Sequence, residues 1–264
     1  MSYPYSNTET LADGLLHAAG LIAVYAGVKY LMAHDASPAV IVYAVLAGFA
    51  FVASAVYHMT PWDRMRPVLR RIDHAAIYLK IAGTYTPLAL MLGSGFSYAV
   101  LVIVWVISVL GALAKLTIWG AGGRGSLAVY LGLGWVSVLL ACPIALQFGT
   151  FVFGCIATGG VLYTLGCLVF ARPSFRFQNP IWHGFVLSAS ACCFMAVAAT
   201  QSQRIQISPY TSLDMPEPVT TQMLAPVPAC DNNQMIVQPL TFQHAQNNHP
   251  CATFTIVAFD SSTL

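Results

Sequence analysis

Apolar runs of about twenty residues, parted by short breaks, fill positions 10–200 of the chain. No other feature constrains the fold as tightly, because about 20 mostly apolar residues are what a helix needs to cross a bilayer core. Seven such runs can be read: 10–33, 38–59, 70–92, 96–118, 126–146, 150–171 and 180–200. The breaks carry turn chemistry or charge, as at Pro61 to Pro67, Gly93-Ser94-Gly95, Gln147 to Gly149 and Arg172 to Pro180. Charged residues make up 8% of the chain, far below the roughly 25% of soluble domains. The expected fold is all-α, a polytopic bundle of seven transmembrane helices.

Lys and Arg set its expected orientation. Arg64, Arg66, Arg70 and Arg71 gather between the second and third runs, Lys115 and Arg124 between the fourth and fifth, and Arg172 and Arg176 between the last two. The alternate breaks, 34–37, 93–95 and 147–149, hold none, and Lys29 is a mild exception. This split places the N-terminus in the cytoplasm and the C-terminus outside. Residues 1–9 contain no Lys or Arg, so they lack a leader's basic region and the first run reads as a retained anchor.

The expected organisation is a short cytoplasmic N-terminus (1–9), a transmembrane domain (10–200) and an extracytoplasmic tail (201–264). The tail is rich in Gln, Asn, Pro and Thr and has five charged side chains. It cannot bury enough apolar area to offset its ordering entropy, so it is expected to be disordered. His244, His249 and Cys251 belong to it and read as passive. Cys142, Cys155, Cys167, Cys192 and Cys193 lie in apolar stretches and behave as small apolar residues. Without a CxxC pair, neither a zinc ribbon nor a thioredoxin-type centre is indicated. A net charge of +2 gives no reason for a nucleic-acid partner. Membrane lipids are the expected partners, the plasma (inner) membrane is the expected location, and oligomerisation stays open.

Chemistry concentrates at one end of the expected bundle. His58 closes the second helix, while Asp73 and His183 lie about one turn into the third and seventh. At ~1.5 Å rise per residue, all three reach similar depths. Ionisable groups inside a membrane bundle are costly and usually functional. Ser54 shares a helix face with His58, and Asp13 shares one with His17 in the inner half of helix 1. Imidazole and carboxylate groups on converging helices suit a divalent ion such as zinc, whose catalytic sites take three protein ligands. A neighbouring carboxylate can then take a proton from water. The bland alternative is a hydrogen-bonded packing network with charges reaching toward the interface. Lys80, about 10 Å deeper than Asp73 at helical rise, reads as a counter-ion, a substrate-phosphate contact or a lysine reaching a watery cavity. The glycine-rich 120–125 stretch reads as a flexible connection rather than a phosphate loop. The arginines after helix 2 suit either topology setting or anionic headgroups.

The stretch SAVYHMTPWDRMRPVLRRIDHAAIYLKIAGTYTPLAL (54–90) resembles the signature of the hemolysin III family. Ser54-x-x-x-His58, Asp73-His74 and Gly83 to Pro87 match it, and IWHGFVLSASACCFMAV (181–197) resembles the family's last helix. That family is related to the progestin and adipoQ receptors and more loosely to alkaline ceramidases. The resemblance covers residues ~10–200 in order and implies seven helices with the N-terminus inside. It also implies zinc near the cytoplasmic face, held by three histidines, with an aspartate contacting its water. His58 and His183 fall on two ligand positions and Asp73 on the aspartate. The third ligand position is Asn179, whose neutral amide suits harder cations than zinc. Asp73 as a direct ligand, or His17 or His74 as a substitute, would complete the set. A family histidine farther along the last helix is replaced by Cys193.

Three function classes follow. The first is a zinc-dependent hydrolase of a lipid amide or ester, with Asp73 as general base and Ser54 orienting the carbonyl or a ligand. The second is a cytolytic, pore-forming protein, which would need oligomers because no helix shows a continuous polar stripe. The third is a non-enzymatic lipid-sensing or membrane-homeostasis protein with a structural site.

Overall fold

The computed structural model describes residues 6–118, 124–172 and 176–211. Helices α1 (Asn7–His34), α2 (Pro38–Met59), α3 (Arg66–Leu92) and α4 (Gly95–Thr117) follow one another through short turns. Helix α5 (Arg124–Trp135) runs through a 3-10 turn (Val136–Leu140) into α6 (Ala141–Phe170), and α7 (Gln178–Thr211) ends the described chain. Among the described residues, six stretches are long and apolar enough to cross a membrane, the fifth being the 46-residue Gly125–Phe170. At the helical rise of ~1.5 Å per residue, that stretch would measure roughly 70 Å if straight. It is not straight. Gly149 has φ 81° and ψ 175°, a conformation essentially reserved for glycine, and it breaks α6 where the sequence places a turn.

Local chemistry explains the boundaries. Ser6 caps α1 by accepting from the Glu9 N–H, and the Glu9 carboxylate accepts the Ser6 N–H at 2.9 Å, a reciprocal capping box. Pro38 and Pro67 occupy first-turn positions of α2 and α3, where a missing N–H costs nothing. Gly93, at φ 65°, closes α3 in the left-handed conformation. The Tyr85 hydroxyl lies 3.0 and 2.9 Å from the Leu133 and Gly134 carbonyls and can donate to either, just ahead of the 3-10 turn.

Helix α3 is the central element. In its most apolar 18-residue window 61% of residues are buried, against 17–33% for the other spans. It packs on α2 and α4 and also touches α5, α6 and α7, while α1 packs between α2 and α7. Tyr78, Ala82 and Tyr85 of α3 join Val100, Val104 and Ala112 of α4 and Ile144, Phe148 and Val152 of α6 in the main core. Large apolar side chains such as Leu11, Ile22, Val102 and Leu146 face outward, as they do where lipid is the solvent.

The α3–α4 contact depends on Gly111. A Cβ there would sit 2.6 Å from the ring of the fully buried Tyr78, too close for any side chain to fit without displacement. Gly111→Val is expected to destabilise the bundle by about 1–3 kcal/mol, the usual cost of overpacking. Thermal unfolding in detergent measures this directly, and an unchanged midpoint would contradict such close packing.

The structure moves one expected boundary. Helix α7 runs eleven residues past position 200, to Thr211, rather than giving way to a tail at 201. Thr200 and Gln201 are fully buried, and the Gln203 side chain donates to the Phe148 carbonyl at 3.2 Å, beside the α6 break. Thr200 also donates to the Val197 carbonyl at 2.7 Å within the helix. Residues 212–264, with His244, His249, Cys230 and Cys251, lie outside the described residues, as does most of the 120–125 stretch. Cys142, Cys155, Cys167, Cys192 and Cys193 are free thiols.

Candidate metal centre

Asp13 and His17 lie one helical turn apart on α1, so both project from one face. Because α1 packs between α2 and α7, that face meets the last turn of α2 and the start of α7. Glu9 helps fix this approach. Besides capping α1, its carboxylate accepts the Phe177 N–H at 2.9 Å. Phe177 is held at φ 58°, a left-handed conformation unusual for a bulky residue. The junction seats the start of α7 against the start of α1.

Asp13 is the hub. One carboxylate oxygen lies 2.5 Å from His183 Nδ1 and the other 3.1 Å from His58 Nδ1. His17 Nδ1 is 2.8 Å from the Asp13 backbone carbonyl and 3.6 Å from its carboxylate. The three imidazole rings lie together, with centroids 4.4 Å (His17–His183), 4.5 Å (His58–His183) and 5.2 Å (His17–His58) apart. Asp13, His17 and His58 are all buried, at 3%, 6% and 8% exposure.

Acceptor chemistry fixes the tautomers. A carbonyl only accepts, so His17 Nδ1 carries the proton and Nε2 carries the lone pair. The Ser54 hydroxyl, 3.3 Å from that Nε2, then donates to it. An ionised carboxylate likewise only accepts, so His58 and His183 donate from Nδ1 and turn their lone pairs to Nε2. A carboxylate behind histidines is how metal-ligating imidazoles are oriented and made more basic. Ligand atoms of Asp13, His17 and His183 lie within 4.8 Å of one another. These residues could hold a metal ion, and the nitrogen-rich, buried donor set fits a borderline cation such as zinc.

A cavity of about 880 Å³ opens beside the cluster. His17, His58 and His183 line it, together with Ser54, Asp73, His74, Asn179 and Lys80. The structure therefore gathers the residues singled out from the sequence around one space, in distinct places. His58 and His183 meet on Asp13. Asp73 lines the cavity with Ser54. His17 joins the imidazoles, whereas His74 lies among groups on α3, α4 and α5, where Tyr130 donates to its backbone carbonyl at 3.1 Å. Asn179 is buried at the cavity wall. Deeper in, Lys80 donates to Ser190 at 2.6 Å, Tyr163 bonds the same hydroxyl at 3.0 Å, and the ammonium lies 4.7 Å from the Phe51 ring centre. The readable signal for the hub was Asp13 itself, four residues before His17. Its partners across the bundle were not readable.

A model of the haemolysin-III related family matches residues 5–194. The chain belongs to the haemolysin-III related family. The matched stretch spans α1 to the first half of α7 and contains every residue of the cluster. Among curated proteins, the hemolysin-3 homolog of Bacillus subtilis (strain 168) is 28% identical over 197 residues, covering 72% of this chain and 92% of that one. Hemolysin-3 of Bacillus cereus is 29% identical over 197 residues, covering 72% and 90%. As a haemolysin-III related protein with six long apolar helical stretches, the chain is an integral, multi-pass membrane protein.

Proposed function

We propose that this haemolysin-III related protein crosses the membrane seven times, with the N-terminus inside, and carries a zinc centre that serves hydrolysis of a lipid amide or ester. The observation that supports this most is one juxtaposition. His58 and His183 on the Asp13 carboxylate, with His17 on the same residue's backbone carbonyl, line a cavity of about 880 Å³ whose walls are mainly apolar. The Gly149 break supports a seventh crossing, since α5–α6 would be more than twice the ~30 Å bilayer core if straight. Lys and Arg after helices 2, 4 and 6 support a cytoplasmic position for the cluster.

His17, His58 and His183 would hold the ion, with Asp13 orienting them. His17 thus supplies the third imidazole in place of Asn179. Bound there, zinc would supply Lewis acidity toward a carbonyl. The chain's own groups do the rest. Apolar walls hold the acyl chain, and the Ser54 hydroxyl, now turned to His17, can donate to the carbonyl oxygen. Asp73 takes the proton as water adds to the carbonyl carbon. The acyl C–N or C–O bond then breaks, the proton passes to the departing amine or alcohol, and the carboxylic acid formed gives its remaining proton to solvent.

The test is elemental analysis of detergent-purified protein. About one zinc per chain is expected, falling below one-tenth in His17→Ala, His58→Ala and His183→Ala and unchanged in His74→Ala. A wild-type protein without stoichiometric metal would remove the centre. Conductance of pure protein in planar bilayers that survives His58→Ala would favour the cytolytic reading.

A further inference from the structure

A second cluster, made by other helices, lies on the same cavity. Arg70 and His74 come from the first turns of α3, Lys115 from the last turn of α4, and Ser126 from the first turn of α5. All four line the cavity. Arg70, His74 and Lys115 lie close enough for their charges to act on one another. The facing carboxylate is Asp73, one turn from Arg70 on α3.

Lys115 is the unusual member. It is 1% exposed, yet among the described residues no carboxylate pairs with it and no acceptor takes its protons. A lysine enclosed in a membrane bundle without a counter-charge is costly and usually functional. The Ser126 hydroxyl, from α5, lines the same cavity and lies near the Tyr78 and Tyr130 hydroxyls. A guanidinium, a lysine amine, an imidazole and a hydroxyl line one space that holds a single nearby carboxylate, Asp73. Such a set is incomplete without an anion.

We propose that Arg70, His74, Lys115 and Ser126 form a phosphate-binding subsite on the wall of the cavity. Phosphate suits it better than a single carboxylate. It offers several strong acceptor oxygens to a guanidinium fork, an ammonium and a hydroxyl at once. The subsite lies at helix ends, the depth at which lipid phosphates sit, and it opens on an apolar cavity that would take the attached chain. Its occupant is a phosphate group, either of a lipid headgroup or free in solution. The inference does not depend on the metal centre, which uses α1, α2 and α7.

Titration calorimetry of the full-length protein in dodecyl maltoside tests it, with dodecyl phosphate and inorganic phosphate as probes. Saturable binding of about one dodecyl phosphate per chain is expected, weakened about tenfold or more in Lys115→Met and in Arg70→Gln. Lys115→Met removes an unpaired buried charge, so its thermal midpoint should hold or rise, which separates lost binding from lost fold. Chelator treatment should leave the affinity unchanged. Much tighter binding of dodecyl phosphate than of inorganic phosphate would assign the site to headgroups, and equal binding would assign it to the free anion. No saturable binding of either probe would overturn the proposal. So would affinity within twofold of wild type in both variants, or binding that chelator abolishes.

Discussion

Asp13→Asn should strip the protein of its metal while leaving all three candidate ligand histidines in place. The wild-type carboxylate offers an acceptor to His58 Nδ1 and another to His183 Nδ1, at 3.1 and 2.5 Å. An amide has one acceptor and one donor. Its NH2 group would face an imidazole N–H, donor against donor, in a site that admits little water. The cheapest escape is for that imidazole to move its proton to Nε2, which removes the lone pair a metal needs. Changing such a supporting group typically lowers metal affinity by about 10–100-fold. Zinc content measured across zinc-buffered solutions reads this directly. Some stability should go as well, about 1.5–3 kcal/mol for a hydrogen bond to a charged group. Wild-type zinc affinity in this variant would mean that Asp13 is a helix-packing residue and nothing more.

Asp13 also marks where sequence reading stops. Helix phase places Asp13 beside His17, and Ser54 beside His58, because those pairs lie on single helices. Counting residues from helix ends brings His58, Asp73 and His183 to one depth. Which of them touch depends on which helices are neighbours, and helices apolar on most faces carry little record of that. The choice between His17 and His74 as the third imidazole turned on this alone. Packing of α1 between α2 and α7 brings in His17, while His74 turns to α4 and α5. The Ser6–Glu9 capping box was readable, as Ser-x-x-Glu ahead of an apolar run, and would have started α1 at residue 7 rather than 10. The end of α7 was not. Its last turns are polar, and Thr200 and Gln201 are buried only because neighbouring elements cover them. The break at Gly149 was legible because glycine between two apolar runs is a local signal. Lys115 read from sequence as a topology-setting loop charge, but in the fold it lies on the inside.

Asp73→Asn separates the catalytic reading from every structural one. Asp73 is buried and lines the cavity beside Ser54, and it is not one of the groups that Asp13 gathers. Its amide isostere keeps the size and much of the hydrogen bonding, but it cannot take a proton from water. A positioned general base contributes about 10²–10⁴-fold, so turnover of a short-chain lipid amide or ester should fall by at least two orders of magnitude. Zinc content should stay at the wild-type level, because Asp73 holds none of the three imidazoles. That combination, metal retained and turnover lost, is not expected of a packing residue, whose loss would lower the melting temperature first. If Asp73 instead serves as a direct ligand, zinc and turnover fall together. If zinc-loaded wild-type protein cleaves no lipid amide or ester, the hydrolase reading fails. The imidazole cluster would then act as a metal clamp joining α1, α2 and α7, and chelation would lower stability without touching any reaction. The three outcomes differ in which of metal content, melting temperature and turnover moves first, so the same purified variant decides among them.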